Sequence, residues 1–182
     1  MANYCFTHYA IEGKKEVLER VADAINHGDG FMKNSIENLG LKFDAEEYAP
    51  RAEWETGARI EDRDGASVLF FTQAYPWEHM DVIDDVLAQL GEPNAKIYML
   101  MQRFEDGIHE TNDHEGKYFP ERYLVYTDEV FDGAVSFVTK EEALAHIRKQ
   151  YNISDDYDTL EKLEDYCNAE GLALEFYEIE EV

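Results

Sequence analysis

The stretch LFFTQAYPWEHMDVIDDVLAQLG, residues 69–91, runs from an apolar strand directly into an amphipathic helix. Met80, Ile83, Leu87 and Leu90 recur at the three- and four-residue spacing that puts side chains on one helical face. Glu78 and Asp81 lie in the expected first turn, where negative charge meets the positive end of the helix dipole, and Gly91 and Pro93 are stop signals. Between strand and helix sits a junction holding Gln73, Tyr75, Pro76, Trp77 and His79. A strand feeding such a helix has to bury the apolar stripe against the sheet it has just left, so two layers are expected.

The flanking sequence extends that unit. EWETGARIED (residues 53–62) and SVLFFTQAY (67–75) flank Asp64-Gly65, a dipeptide suited to tight hairpin turns because both central residues need positive φ. NYCFTHYAI (3–11), closed by Gly13, reads as a first strand. Val17, Leu18, Val21 and Ile25 then mark a helix that Gly28 stops. From 28 to 52 the pattern loosens around Gly40 and Pro50; Met32, Ile36 and Leu39 suggest one short helix inside an insertion. Downstream, AKIYMLMQRFED (95–106) reads as a long strand that Asp106-Gly107 turns into a return arm starting at Ile108. Strand, helix, strand, strand, helix, strand is the order of a ferredoxin-like α/β sandwich, an antiparallel sheet with two helices on one face.

HETNDHEGKYFPER (109–122) interrupts the periodicity, and Gly116 with Pro120 marks a boundary: residues 1–119 form the first domain and 120–182 a smaller extension. RYLVYTDEV and AVSFVT flank Asp132-Gly133 as another hairpin, and Thr139 with Glu142 predicts a capping box before Ala143, Leu144 and Ile147. A second helix over 159–169 carries Leu160, Leu163 and Cys167 on one face and stops at Gly171; LALEFYEIEEV alternates like a last strand. The extension is therefore a β-β-α-α-β unit, expected to pack on the first domain.

Charge is the dominant compositional fact. The 182 residues hold 41 acids and 16 bases, a formal net charge of −25. Such a surface repels phosphate backbones and anionic membranes, which argues against direct nucleic-acid or membrane binding. The region from Gln150 to Val182 is densest, with 11 acids and one base, Lys162. No apolar run approaches the length of a membrane span and the amino terminus lacks the pattern of a signal peptide. Cys5 and Cys167 read as reduced thiols, so a soluble cytoplasmic protein is expected.

MANYCFTHYAIEG, LFFTQAYPWEHMDVIDDVL and YMLMQRFEDGIHETNDHEGKYF resemble, in that order, the signature stretches of the Api-type ferredoxin-like family, small phage- and plasmid-associated proteins of unknown function. Asn3 and Cys5 fit its opening strand, and Phe104, Glu105, Asp106 and Gly107 approximate its hairpin. At the junction Trp77 follows Pro76, whereas the family pattern places a tryptophan ahead of a pair of prolines. The resemblance covers residues 1–119; it implies a fold and a mobile-element association, with no catalytic residues to carry over.

Two places hold residues suited to chemistry. Gln73, Tyr75, Trp77 and His79 lie at a strand end and a helix start, where free backbone N–H groups receive anions; the junction reads first as the seam of the core and second as a ligand pocket. His109, Asp113 and His114 are the candidate metal ligands, but the two histidines stand five residues apart, about 140° around a helix, and the segment is turn-like, so no metal is expected. His8 reads as a sheet-face histidine, Cys167 as buried, and Asp158 as the cap of the helix that follows, with Glu161 completing its box. No phosphate loop, nucleophile elbow or dinucleotide fingerprint occurs, and no cofactor is expected.

These readings converge on a non-catalytic, acidic accessory protein that offers the outer face of a sheet, or an acidic surface suited to a basic partner, to another protein, with exposed aromatics such as Tyr118, Tyr123 and Tyr126 as anchors. A DNA mimic that occupies the basic groove of a nucleic-acid-binding protein is the alternative. An enzyme with a pocket near Tyr75 and Trp77 is the third. Oligomeric state is open.

Overall fold

The computed structural model describes residues 5–28, 32–41, 53–74, 80–103, 107–127 and 134–182. It is a mixed α+β protein with five helices among these residues, dividing into two compact units, Met1–Asp113 and His114–Val182. The break falls at the end of a strand, ahead of the Gly116–Pro120 break expected from sequence: the irregular segment 114–122 belongs by its contacts to the second unit.

The first unit contains β1 (Cys5–Gly13), α1 (Lys15–Asn26), α2 (Met32–Asn38), β2 (Glu53–Arg63), β3 (Ala66–Ala74), α3 (Met80–Gln89), β4 (Lys96–Arg103) and β5 (Ile108–Thr111). Its strands lie in the order β2-β3-β1-β4-β5, each neighbouring pair antiparallel. Tyr9 pairs with Phe71 and Met99, which fixes odd-numbered residues of β1 on one face. There Tyr9, Ile11, Leu69, Phe71 and Met99 meet Leu18, Val21 and Ile25 of α1 and Val82, Ile83 and Leu87 of α3 in one core. Both helices therefore cover the same face. α2 lies in the expected insertion but adds to this core, because Met32 and Ile36 one turn apart are both buried in it. Asp64 and Gly65 both have positive φ, 50° and 82°, as the hairpin signal requires.

The second unit contains β6 (Tyr123–Thr127), β7 (Val135–Phe137), α4 (Lys140–Tyr151), α5 (Leu160–Glu170), β8 (Leu174–Glu178) and β9 (Glu180–Glu181). A three-stranded antiparallel sheet of order β7-β6-β8 backs the two helices, with Val125, Leu144, Ile147, Leu163 and Cys167 at the centre of the core. The Thr139–Glu142 capping box forms in both directions. The cap of α5 differs from expectation. Thr159, with extended φ and ψ, accepts from the Lys162 N–H, while Asp158 sits one residue too early and binds the Lys162 ammonium at 2.6 Å instead. Tyr118 is a second correction: it is buried, so it offers no exposed anchor, while Tyr123 and Tyr126 are half-buried. Asp106, Asp132 and Gly133 lie outside the described residues.

Candidate functional site

The expected ligand junction lies where β1 begins and β3 and β4 end. Of its four residues the structure describes Gln73; Tyr75, Trp77 and His79 lie outside the described residues. Gln73 is 1% exposed and stands in register with Thr7, which is equally buried and in turn faces Met101. Cys5 shares this face, 2% exposed, its Sγ 3.9 Å from the Thr7 hydroxyl. Thiol, hydroxyl and carboxamide are hydrogen-bonding groups, able to orient a polar group. His8 is on the opposite face, its Nδ1 2.8 Å from the Thr72 hydroxyl. Sequence reasoning missed Thr7 and Cys5 as companions of Gln73. Alternation hinted at their common face, but the pairing of β1 with β3 is a non-local fact.

The other candidate segment is split by the end of β5. His109 is 2% exposed and pairs across the sheet with Gln102, on the face turned away from α1 and α3. Burial disfavours its charged form and lowers its pKa to about 4, so it is neutral at pH 7. Asp113 is buried just past the strand, its N–H donating to the Thr111 hydroxyl at 3.1 Å, whereas His114 is exposed, 3.4 Å from the Glu181 carboxylate. Among the described residues no three His, Cys, Asp or Glu side chains gather as a metal site would require. Asn112 has a structural task instead. It accepts from the Met99 N–H at 2.7 Å, donates to the Ile97 carbonyl at 2.9 Å, and so continues the ladder of β4 beyond the end of β5.

A cavity of about 30 Å³ lies between α1, α2, α3 and β3, walled by side chains such as Val21, Ile36, Phe71 and Val86, with Ser35 the polar member. That volume is on the scale of one water molecule and the walls are carbon.

The second unit presents a different kind of surface. All 11 acids between Gln150 and Val182 are exposed. On α5, Leu163 and Cys167 point into the core, which leaves Glu161, Glu164, Asp165 and Glu170 outside. The one base of the region, Lys162, bonds the Asp158 carboxylate and the Asp156 carbonyl; the hydrogen bond from Lys162 holds the Asp158 carboxyl below its ordinary range. Arg148 lies 3.6 Å from Asp155. A shallow depression at the sheet end is rimmed by Glu178, Glu180 and Glu181, with Arg122 beside them. That arginine is held by the carbonyls of Phe119 and Glu121, at 2.7 and 2.9 Å, and by Glu181 at 3.3 Å.

No protein-family model, curated protein or solved structure matches the chain. Among the described residues no helix is long and apolar enough to cross a membrane.

Proposed function

We propose that this is a non-catalytic binding protein whose C-terminal unit engages a basic protein partner, with the N-terminal unit as a ferredoxin-like scaffold. One observation carries the reading: every acid between Gln150 and Val182 is exposed, while the one base among them is already bound to Asp158. A single-sign surface of this density raises the local concentration of cationic groups and steers their approach. The resemblance of residues 1–119 to Api-type proteins supports an accessory role in a mobile element. The strand order β2-β3-β1-β4, with α1 and α3 on one face, supports the ferredoxin-like reading. A narrower form, the DNA mimic, is favoured by the outward face of α5, where Glu161, Glu164 and Asp165 follow one another along the helix.

The test is titration with a fluorescent deca-arginine peptide at low and at high salt, for the wild type and for the charge-neutralised variant E161Q/E164Q/D165N. Binding that falls on the order of ten-fold or more with salt, and is weaker in the variant, supports the reading. Binding indifferent to salt overturns it. Displacement of duplex DNA from a basic DNA-binding protein by the chain separates mimicry from general acid-base attraction.

A further inference from the structure

β2 ends the strand order of the first unit among the described residues. An edge of this kind offers its outer N–H and C=O groups to any further strand. The two-residue turn at Asp64 and Gly65 makes Arg63 and Ala66 the closing hydrogen-bonded pair of the hairpin. Alternation then aims the backbone groups of Arg59, Glu61 and Arg63 at β3, and those of Ile60 and Asp62 outward.

Preceding them is a bulge, in which Gly57 and Ala58 have no partner in β3. One side chain serves both backbone groups of Ala58. Its N–H donates to Asn26 Oδ1 at 2.7 Å, and its carbonyl accepts from Asn26 Nδ2 at 2.9 Å. A carboxamide at the end of α1 thus supplies the bonds a neighbouring strand would make. Gly57 permits the approach, since a Cβ there would stand 3.2 Å from Asn26 Oδ1. At the other end of the helix Lys15 holds the Asp62 carboxylate at 3.1 Å.

We propose that α1 guards this edge and that Asn26 is the residue that keeps β2 from pairing with β2 of a second copy of the chain. The choice of occupant follows from charge. In a chain of net charge −25, residues 59–63 read Arg-Ile-Glu-Asp-Arg, as many cations as anions. Two such strands paired antiparallel about Ile60 place Arg59 of each copy opposite Glu61 of the other and Ile60 opposite Ile60, arrangements that stabilise a ladder. The same register sets Ala58 opposite Asp62 and requires the backbone groups that Asn26 holds. With Asn26 in place only the central Ile60 pair can bond.

Sedimentation velocity over a concentration series tests this with wild type, N26A, N26A/R59E and N26A/R59E/E61R. Wild type sets the baseline mass. N26A is expected to double it as concentration rises; adding R59E, which faces like charges across the seam, returns it to baseline; adding E61R restores the doubling. A folded N26A that stays at the baseline mass, or one whose doubling survives R59E, overturns the proposal. Should N26A fail to fold, amide exchange in the wild type decides. The Ile60 amide, aimed outward by alternation, is expected to exchange on the order of ten-fold faster than the Ala58 amide; equal protection of the two overturns the proposal.

Discussion

α1 of the first unit and the two helices of the second are specified differently. α4 and α5 begin at Thr139 and Thr159, each accepting from the backbone N–H of the third residue of its helix, and end at Asn152 and Gly171 in left-handed conformation. Every one of these signals is local, satisfying backbone groups that a helix end leaves open. α1 begins at Lys14 with no side-chain cap and has no basic residue in its last turn, yet it buries Val17, Leu18, Val21, Ala22, Ala24 and Ile25. α1 is thus held by a large shared core, and α4 and α5 by their own ends together with a smaller one.

The largest test of that contrast is Leu18→Ala. Leu18 is fully buried between α1 and the sheet, and its truncation is expected to lower stability by about 2–5 kcal/mol. Residue-resolved amide exchange should show the loss across α1, β1 and β3. Loss confined to α1 alone would break the picture of a shared core.

Acid is the next lever. The pKa of His109 falls from 6.5 in the unfolded chain to about 4 in the folded one, because burial opposes its charge. A lowered histidine pKa favours the fold at high pH: above 6.5 both states are neutral there, and as pH drops from 6.5 toward 4 the unfolded chain takes up the proton first. Stability from this group is lost over that window, on the order of 3 kcal/mol. Urea midpoints of wild type and His109→Asn between pH 7 and about 4 check it. Curves that stay parallel would show that His109 is protonated as readily folded as unfolded.

The smallest effect sharpens the other side. Thr139→Ala removes one cap and is expected to cost about 1 kcal/mol, with faster exchange at the first amides of α4 and little change in the first unit. A loss as large as that from Leu18→Ala would mean that α4 also depends on long-range packing.

Much of this fold is written in short-range pattern. Asp64-Gly65 fixes the β2–β3 hairpin and Thr139 with Glu142 the start of α4, while of the expected stripe of α3 Ile83 and Leu87 are buried, joined by Val82 and Val86, with Met80 and Leu90 at its edge. Where the sequence misleads, two neighbouring residues compete for one role. Asp158 and Thr159 are both good caps, and the choice goes to Thr159 because its side chain reaches the Lys162 N–H while the Asp158 carboxylate takes the Lys162 ammonium. The candidate sites were less legible. Gln73 is buried in a strand whose residues 68–74 are all buried, and Thr7 beside it comes from 66 residues earlier in the chain. His109, Asp113 and His114 form a compact motif on paper. The end of β5 assigns them to a strand face, a buried turn and an exposed position.

The chain by itself determined which segments become helices and hairpins, that the protein is strongly acidic, and that the excess is densest after Gln150, since periodicity, turn chemistry and charge are properties of near neighbours. Tertiary structure alone decided the order β2-β3-β1-β4-β5, the outward exposure of every C-terminal acid, and the uses of Asn26 and Asn112 as substitutes for missing strands. The reason is physical. A buried backbone N–H or C=O must find a partner, and which side chain supplies one depends on what folding brings within about 3 Å.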